Sequence, residues 1–449
     1  MDLTGSKALV VGLGKSGLAA IELLVEKGAR VQGTDSRPVE QIAGAVAVLE
    51  RLGVAFSAQS VDLFRGFDLI VLSPGVPVDL PEVEAGRKSG AKVIGEVELA
   101  SWYLRGPVIG ITGSNGKTTT TALTGHLLKE CGIACQVGGN IGLAPAGMTG
   151  SSREDQWNVL ELSSFQLETV ERFRAAIGVC VNVTPDHLDR HHTFAAYAAA
   201  KRRLFETQGA GDWAVLNADD PTVRGYAAGI SSTPVWFSVE GREAEWRLRG
   251  DWIERGGEGL MPATEIPLRG RHNIENVMAA AAAAHLAGAG MEGIRAAVRS
   301  FPGVEHRLEF VREADGVAYY NDSKATNVDA TLKAIAAFGG GLWIILGGKD
   351  KGSDYRPLAG PLKEKARAAL LIGAAAEKIA SEIGDAAPVE RCGTLENAVR
   401  YAAGRARPGD TVLLAPACAS FDQFENYEHR GRMFKTFVAK IVGINRGER

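Results

Sequence analysis

Residues 108–121 read VIGITGSNGKTTTT, and this stretch decides the fold of the central part of the chain. An apolar run leads into two glycines, Lys117 and Thr118, and a helical pattern continues from Ala122 to Glu130. A buried strand that turns through glycine into a helix leaves backbone N–H groups at the positive end of the helix dipole, where phosphate binds. The stretch therefore predicts a P-loop in which Lys117 meets the β/γ-phosphates and Thr118 offers a hydroxyl to Mg²⁺.

This P-loop is a short variant. The usual pattern has a glycine five positions before the Gly-Lys pair, and here that position is Ile111, so the motif is GxxGKT. The simplest alternative is a glycine-rich turn beside a surface lysine, but strand, glycines, Lys-Thr and helix occur in the order that phosphate binding needs. The motif alone does not distinguish ligases, kinases, GTPases and motors.

Length and composition predict a soluble protein of several domains. The chain has 449 residues, 45% hydrophobic and 23% charged, which leaves room for about three domains. A net charge of −3 gives no reason to expect nucleic acid or an anionic membrane as a partner. No signal peptide or membrane span is expected, and five cysteines without zinc spacing predict reduced thiols and a cytoplasmic location.

The first unit begins with a strand that runs into a GxGxxG motif at Gly12–Gly17, followed by an amphipathic helix. Asp35 ends the next strand, near the spacing at which an acidic residue meets a ribose, so this part alone favours NAD. The alternative is that the glycines only allow close packing of helix and strand. A strand at residues 68–73, predicted as the third, ends in the rigid turn Pro74–Pro77 at an edge where such sheets bind ligands.

The central unit has further strand-like runs, at residues 134–137, 158–162, 176–183 and 213–216, which predict a parallel sheet with helices on both faces. Glu161 ends one of them and fits a second ligand of Mg²⁺. His187 follows another, and from chemistry alone it is more readily a hydrogen-bonded structural residue than a ligand.

A helix is predicted at residues 195–206, with Lys201 on it, and residues 236–267 are typical of short strands and turns. Lys201 by itself is most simply a surface lysine. Residues 271–276 begin a long alanine-rich helix with Asn273 as its N-cap. Asn273 and Asn276 either contact an adenine or are a cap and a solvated neighbour, and the sequence alone favours the second interpretation.

In the third unit, three predicted strands each end in a polar loop that carries lysine or serine. The strands are residues 317–320, 342–346 and 411–414, and the loops are NDSKATN (321–327), GGKDKG (347–352) and APACASFDQF (415–424). Parallel strands end at one edge of a sheet, so the three loops predict one anion-binding pocket. The fold class is thus α/β with three domains, at residues 1–105, 106–302 and 303–449.

Nine motifs distributed over nearly the whole chain resemble those of the Mur ligases. They are GSNGKTTT, GGNIG, LELSSFQLE, TPDHLDR, RHNIEN, EHR, NDSKATN, LGGKDKG and PACASFDQFENYEHRG. The resemblance implies a Rossmann-like N-terminal domain that binds UDP, a central P-loop ATPase-like domain and a Rossmann-like C-terminal domain that binds an amino acid. The last motif is the most discriminating and implies ATP-dependent addition of D-glutamate to UDP-N-acetylmuramoyl-L-alanine through an acyl phosphate.

Three alternatives accompany this interpretation. Another Mur-type or folylpolyglutamate-type ligase would share the ATP site. A nicotinamide-dependent dehydrogenase would explain the first unit but leave the P-loop unused. A non-catalytic P-loop protein would bind ATP but leave the polar loops of the third unit unexplained.

The resemblance also implies roles for individual residues. For catalysis it implies Lys117, Glu161, His187 and Lys201, and for two Mg²⁺ ions it implies Thr118, Glu161, His187 and a carbamate on Lys201. For ATP it implies Gly113, Ser114, Asn115, Gly116, Lys117, Thr118, Thr119, Asn273, Asn276, Arg307, Asp322 and Lys324.

For the UDP substrate it implies Gly14, Lys15, Ser16, Asp35, Ser36, Arg37, Ser73, Gly75, Asn140, Ser163, Gln166 and His187. For D-glutamate it implies Thr326, Lys351, Ser420, Phe421 and Tyr427, with Lys349 as an alternative to Lys351. The expected partners are these small molecules, without nucleic acid or membrane, and the expected state is a monomer.

Overall fold

A computed structural model describes residues 2–444 of the chain. The described residues form two compact units. The first comprises the chain up to Glu265 together with Glu275–Phe301, and the second comprises Ile266–Ile274 together with the chain from Pro302 onward. The first unit contains two β-sheets and the second contains one. Within residues 2–444, the structure contains no helix that combines the length and apolar character needed to cross a membrane.

The first sheet is parallel and has the strand order β3-β2-β1-β4-β5. Its strands are β1 (Lys7–Val11), β2 (Arg30–Asp35), β3 (Ala55–Ala58), β4 (Leu69–Leu72) and β5 (Lys92–Gly95). Its helices are α1 (Lys15–Glu26), α2 (Ala43–Arg51), α3 (Pro81–Lys88) and α4 (Glu96–Ser101). The Rossmann-like prediction is therefore confirmed. The strand predicted as the third is the fourth, because β3 is a short, half-exposed edge strand without an apolar run.

The second sheet has nine strands in the order β14-β13-β12-β11-β10-β9-β6-β8-β7. They are β6 (Val108–Thr112), β7 (Cys135–Gly139), β8 (Trp157–Glu161), β9 (Ile177–Cys180), β10 (Trp213–Asn217), β11 (Thr233–Ser238), β12 (Trp246–Arg249), β13 (Trp252–Arg255) and β14 (Glu258–Pro262). The pairs from β7 to β12 are parallel, as predicted. The short strands predicted after residue 236 add an antiparallel edge, so the sheet is mixed.

Helices α5 to α12 belong to this central part of the chain. They are α5 (Lys117–Glu130), α6 (Pro145–Met148), α7 (Ser164–Leu167), α8 (Leu188–His191), α9 (Phe194–Arg202), α10 (Pro221–Tyr226), α11 (Arg271–Leu286) and α12 (Met291–Ser300). Two predictions need correction. Helix α9 ends at Arg202, where a single 3₁₀ turn follows it. Helix α11 begins at Arg271, so Asn273 lies inside its first turn and is not the N-cap.

The third sheet has the order β15-β16-β20-β17-β18-β19 and is parallel except for the β15–β16 pair. Its strands are β15 (Glu309–Ala314), β16 (Val317–Asn321), β17 (Leu342–Gly347), β18 (Ala366–Ile372), β19 (Val389–Gly393) and β20 (Thr411–Leu414). Its helices are α13 (Val328–Ala336), α14 (Ala359–Lys365), α15 (Ala376–Ile383), α16 (Leu395–Ala403) and α17 (Tyr427–Ile444). The three predicted strands are the adjacent β16, β20 and β17, so their polar loops leave from one edge.

Two buried glutamates of α4 accept hydrogen bonds from segments of the chain that surround the second sheet. Glu98 accepts three hydrogen bonds through Oε2, from the N–H groups of Glu171, Arg172 and Phe173 at 2.8 to 3.0 Å. Glu96 accepts one through Oε1, from the N–H of Ala146 at 2.5 Å, and its buried Oε2 has no hydrogen-bond partner. Burial without a cation raises the pKa of Glu96 to about 8.

We expect Glu96 to make the protein less stable as the pH rises. The folded state keeps the Glu96 proton up to about pH 8, whereas the unfolded chain loses it near the ordinary pKa of 4.5. The free energy of unfolding should therefore fall by about 1.4 kcal/mol per pH unit within that window. Glu96→Gln keeps the acceptor for Ala146 and removes the titration. Urea unfolding between pH 5 and 8.5 should show equal stability at pH 5 and a more stable variant at pH 8.

The control is Glu22→Gln, at an exposed position of α1. Its stability should stay close to that of the parent protein. A stability difference between Glu96→Gln and the parent that is the same at pH 5 and pH 8 would contradict the buried-proton explanation.

Candidate active site

The loop between β6 and α5 has the backbone that its sequence predicts. Gly113 has a φ of 153° and Gly116, the residue before α5, a φ of 85°. A Cβ atom on Gly116 would lie 2.3 Å from Oδ1 of Asn276, so a side chain at this position is excluded by both backbone and space. Because Gly116 has no side chain to cap α5, the first N–H groups of the helix face a site suited to an anion.

Residues after β9 brace this loop. The N–H of Ser114 donates to the carbonyl oxygen of Asn182 at 2.8 Å, and the N–H of Asn115 donates to Oδ1 of Asn182 at 2.9 Å. The Ser114 hydroxyl contacts the Thr184 carbonyl oxygen at 2.8 Å and the Tyr197 hydroxyl at 2.9 Å. Ser114 and Asn115, both predicted to bind ATP, therefore also hold the loop in shape.

Two lysines meet at the first carbonyl group of the loop. The Lys117 ammonium donates to the oxygens of Gly113 and Ser114 at 2.8 and 2.9 Å, and Lys201 Nζ donates to the same Gly113 oxygen at 2.8 Å. Lys201 is only 1% exposed and its Nζ lies 4.6 Å from the centre of the Tyr197 ring. Burial, and then the charge of Lys117, hold the pKa of Lys201 well below its ordinary value. The interpretation of Lys201 as a surface lysine is wrong.

Glu161 ends β8 beside the strand that leads into the loop, in register with Ile111. Its carboxylate is 1% exposed and Oε1 accepts a hydrogen bond from Asn140 Nδ2 at 2.9 Å. The structure thus joins a residue predicted for Mg²⁺ to one predicted for the UDP substrate. Thr118 and Thr119 are buried in the first turn of α5.

Two histidines four residues apart have different surroundings. His187 has a left-handed φ of 52°, its side chain is 41% exposed, and its ring packs edge-on against Phe165 at 4.9 Å. His191 is buried, with Nε2 2.9 Å from the Ser164 hydroxyl and Nδ1 3.2 Å from Glu168 Oε1. Burial and the neighbouring Arg190 lower the pKa of His191 to about 4. The structure thus shows His191 as a buried, hydrogen-bonded histidine, and His187 is the more exposed of the two.

A cavity of about 540 Å³ lies at the carboxyl edge of the first sheet. Its lining includes nine of the residues predicted for the UDP substrate: Gly14, Lys15, Ser16, Asp35, Ser36, Arg37, Ser73, Gly75 and Asn140. Ser163, Gln166 and His187 do not line it. Ser163 and Gln166 form a capping box at the start of α7, in which each side chain accepts from the other's backbone N–H.

Asp35 organises the end of β2. Oδ2 accepts from the Leu13 N–H at 2.7 Å, and the two carboxylate oxygens form a paired contact with Nε and Nη2 of Arg37 at 2.9 and 2.8 Å. The Arg37 guanidinium holds the pKa of Asp35 down at about 2. The carboxylate expected to face a ribose is therefore bonded to protein groups, which no spacing rule could have predicted.

In the second unit, the residues predicted for ATP lie around the start of β15 and the end of β16. Asp322 is 5% exposed, its Oδ1 accepts from the Leu308 N–H at 3.3 Å, and burial, opposed by Arg307, raises its pKa to about 6. His306 is buried with a left-handed φ of 65°, and its Nδ1 lies 2.9 Å from Asn321 Nδ2. Asn273 donates through Nδ2 to the Arg269 carbonyl oxygen at 2.6 Å.

Gly431 on α17 holds the segment that carries Arg307 in place. A Cβ atom at this position would lie 2.2 Å from His306 Nδ1. We expect Gly431→Ala to displace His306 and with it Arg307, because the added Cβ atom would overlap the buried imidazole ring. The loss of stability should be about 1–3 kcal/mol, measured by urea unfolding, and KM for ATP should rise.

Gly360→Ala is the matched control, since a Cβ atom there meets nothing within 4 Å and the residue lies on α14 of the same unit. An unchanged stability and KM in Gly431→Ala would show that the His306 ring adapts.

The loops predicted for D-glutamate rest on a buried arginine that the sequence analysis did not single out. Arg430 donates through Nε to the Ser323 hydroxyl at 3.0 Å and through Nη2 to the carbonyl oxygens of Ser323 and Cys418 at 2.8 and 3.2 Å. Nη1 reaches the Ala419 oxygen at 3.3 Å. The first and third polar loops are therefore joined through one side chain. Arg430 lies inside the last family motif, which was the available signal.

The predicted contact residues themselves differ in exposure. Ser420 is 2% exposed, whereas Phe421 is 66% exposed. Lys349 and Lys351 are both exposed on the loop after β17, so burial does not decide between them. Tyr427 begins α17, and its ring centre lies 5.0 Å from Lys324 Nζ. Thr326 lies half-buried on the loop after β16, in front of α13.

Three family descriptions match consecutive parts of the chain. They are the Mur ligase MurD-like N-terminal domain over residues 6–95, the Mur ligase middle domain over residues 111–284 and the Mur ligase glutamate ligase domain over residues 306–418. The NAD interpretation of the first unit is therefore wrong, and the same strand-glycine-helix arrangement serves a Mur ligase domain.

Curated relatives are similar over nearly the full length. UDP-N-acetylmuramoylalanine–D-glutamate ligase of Solibacter usitatus is 61% identical over 98% of both chains. The protein of that name from Acidobacterium capsulatum is 53% identical, over 98% of this chain and 97% of that one.

Solved structures agree in fold. MurF ligase of Thermotoga maritima, in complex with ADP, has a TM-score of 0.64 at 16% identity and covers 99% of this chain and 96% of that one. A pseudomurein peptide ligase type C of Methanothermus fervidus has a TM-score of 0.62 at 19% identity, with 97% of this chain and 100% of that one covered. The predicted three-domain α/β fold is confirmed, and the chain is an enzyme that belongs to the Mur ligase family.

Proposed function

We propose that this chain joins D-glutamate to UDP-N-acetylmuramoyl-L-alanine, with conversion of ATP to ADP and phosphate. The observation that carries the proposal is 61% identity to a relative of that name over 98% of both chains. The short P-loop, the buried Glu161 and the buried Lys201 support it, because they supply a phosphate site with nearby carboxylate and amine groups. The protein acts in peptidoglycan precursor synthesis, in the cytoplasm and as a monomer.

The reaction proceeds in two steps through an acyl phosphate. The carboxylate of the L-alanyl group attacks the γ-phosphorus of ATP and ADP leaves; the D-glutamate amine then attacks the acyl carbon, and phosphate leaves from the tetrahedral intermediate. Phosphoryl transfer needs positioning and neutralisation of charge more than covalent help. Lys117 and the N–H groups at the start of α5 supply both to the phosphates.

The other predicted residues keep their proposed roles. Gly113 to Thr119, Asn276, Asn273, Arg307, Asp322 and Lys324 bind ATP. The nine predicted residues that are among those lining the cavity of the first sheet bind the UDP part, with Ser163, Gln166 and His187 toward the sugar and alanyl part. Thr326, Lys351, Ser420, Phe421 and Tyr427 bind D-glutamate, and Lys351 is a suitable partner for a carboxylate.

The donor groups near the P-loop fit Mg²⁺, which the family implies. The Thr118 hydroxyl and the Glu161 carboxylate are oxygen ligands of the kind that Mg²⁺ prefers, and both residues are buried. Bound there, Mg²⁺ would neutralise phosphate charge. His187 and a carbamate on Lys201 would complete a second site. With a non-hydrolysable ATP analogue, added Mg²⁺ should raise the Tm, and Glu161→Gln should reduce that increase.

The surroundings of Lys201 support its conversion to a carbamate. CO₂ reacts with an uncharged amine, and the low pKa of the buried Lys201 amine keeps it in that form. The ammonium form would repel a metal ion, whereas a carbamate offers it an oxygen ligand.

Phosphate release tests the proposed reaction. ATP with UDP-N-acetylmuramoyl-L-alanine should give little phosphate, and D-glutamate should multiply the rate while L-glutamate does not. Equal stimulation by L-glutamate, L-lysine or meso-diaminopimelate would contradict the proposed amino acid and favour another Mur-type ligase. Phosphate release that no amino acid stimulates would contradict the ligase activity.

A further inference from the structure

The cavity at the carboxyl edge of the first sheet contains an amide side chain that neither the motifs nor the family resemblance identified. Gln59 directly follows β3 and lines the cavity of about 540 Å³. It is half-buried, and within residues 2–444 its carboxamide makes no hydrogen bond. A half-buried amide without a protein partner, facing a cavity of this size, is a candidate for direct contact with a ligand.

The strand order separates the phosphate end of this cavity from the end where Gln59 lies. Along the edge the strands follow as β3, β2, β1 and β4, and β1 leads into Gly14, Lys15 and Ser16 at the start of α1. These N–H groups suit a diphosphate. Neighbouring strands are about 4.8 Å apart, so Gln59 lies roughly 10 Å away, two strands further. That distance is about the length of a nucleotide from its diphosphate to its base.

Polar groups between these two ends already make hydrogen bonds within the protein. The Asp35 carboxylate accepts from Leu13 and from Arg37, as described above. The paired contact fixes the Arg37 guanidinium plane, and the side chain is still 49% exposed. A fixed, exposed guanidinium offers its flat face to a ring. In register, Ala58 faces Asp35 across β3 and β2, so Gln59 stands beside Ser36.

We propose that Gln59 binds the base of the uridine nucleotide. Its Oε1 accepts the N3–H of the uracil and its Nε2–H donates to a ring carbonyl oxygen, beside the guanidinium of Arg37. A carboxamide has the donor and the acceptor that the imide edge of uracil needs. The inference rests on the proposed function, since it takes the ligand of the cavity to be a UDP derivative.

A calorimetric titration with two probes tests this contact. UDP and N3-methyl-UDP are titrated into the full chain, into Gln59→Ala and into Gln41→Ala. The methyl group removes the N3–H that Gln59 would bind. Gln41 is an exposed glutamine of the same sheet's domain that does not line the cavity, and it is the matched control.

We expect Gln59→Ala to weaken UDP binding about tenfold, which corresponds to the loss of one or two neutral hydrogen bonds. N3-methyl-UDP should bind the parent protein and Gln59→Ala within about twofold of each other, because the methyl group keeps the carboxamide from the imide edge, so both of its hydrogen bonds are absent from either complex. Gln41→Ala should match the parent protein with both probes. Gln59→Asn, which shortens the amide, should also weaken UDP selectively.

Two results would overturn the inference and can be told apart. If Gln59→Ala binds UDP as tightly as the parent protein does, or loses both probes by the same factor, Gln59 does not contact the base although the cavity takes UDP. If the parent protein fails to bind UDP, the proposed function of the cavity fails together with the inference.

Discussion

Lys117→Ala should lower kcat by about 10²–10³-fold, because under the proposed function it removes a cation that meets the transferred phosphate. In the structure the Lys117 ammonium donates to the carbonyl oxygens of Gly113 and Ser114, at 2.8 and 2.9 Å. A neutral carbonyl oxygen attracts an ammonium less strongly than an ATP phosphate does. The measurement is phosphate release under saturating D-glutamate and UDP-N-acetylmuramoyl-L-alanine.

A second measurement distinguishes the loss of the Lys117 charge from damage to the P-loop. Lys129→Ala removes an exposed lysine from the other end of the same helix and should leave kcat unchanged. Lys117→Ala should keep its thermal stability within a few degrees of the parent protein, since Ser114 and Asn115 are held independently by residues after β9. A variant that loses stability as much as activity would indicate that Lys117 supports the loop instead of acting on phosphate.

The common edge of the polar loops could be predicted because parallel strands end at one edge of a sheet. The loops after β16, β17 and β20 come from distant parts of the sequence, yet the strands are neighbours and their loops leave the sheet together. The same reasoning predicted the cavity above the first sheet. It needs only the strand positions and the rule that connections return to the same edge.

The sequence did not reveal which hydrogen bonds the polar side chains already make within the protein. Asp35 has the spacing of a ribose-binding residue, but its carboxylate is bonded to Arg37 and Leu13. Ser163 and Gln166 bond to each other's backbone. Such contacts depend on rotamers and on distances of a few tenths of an ångström, which sequence spacing does not record. The short strands β12 to β14 were predicted, but their antiparallel pairing was not, because a pattern of short strands and turns does not record how the strands pair.

Lys201→Ala should abolish the ligase activity while the protein stays folded. Lys201 is 1% exposed, and its amine shares the Gly113 oxygen with a second lysine. Because the low pKa keeps this amine uncharged, its removal breaks no ion pair, and the variant should stay folded although the space left by the buried side chain lowers the Tm. Activity should nevertheless fall, because the carbamate proposed on Lys201 supplies an oxygen ligand that alanine lacks. Thermal unfolding and phosphate release on the same sample measure the two effects.

A rescue experiment with small carboxylic acids then tests why the activity is lost. Acetate or propionate can enter the space left by Lys201→Ala and replace the carbamate oxygen, so they should restore part of its activity. They should do nothing for Lys117→Ala, in which the missing group is a cation, and nothing for the parent protein. A ¹³C resonance from labelled CO₂, present in the parent protein and absent from Lys201→Ala, would give the same answer without turnover. If neither rescue nor resonance is seen, Lys201 acts as a buried amine that shapes the P-loop through the Gly113 carbonyl, and the second metal site lacks its carbamate.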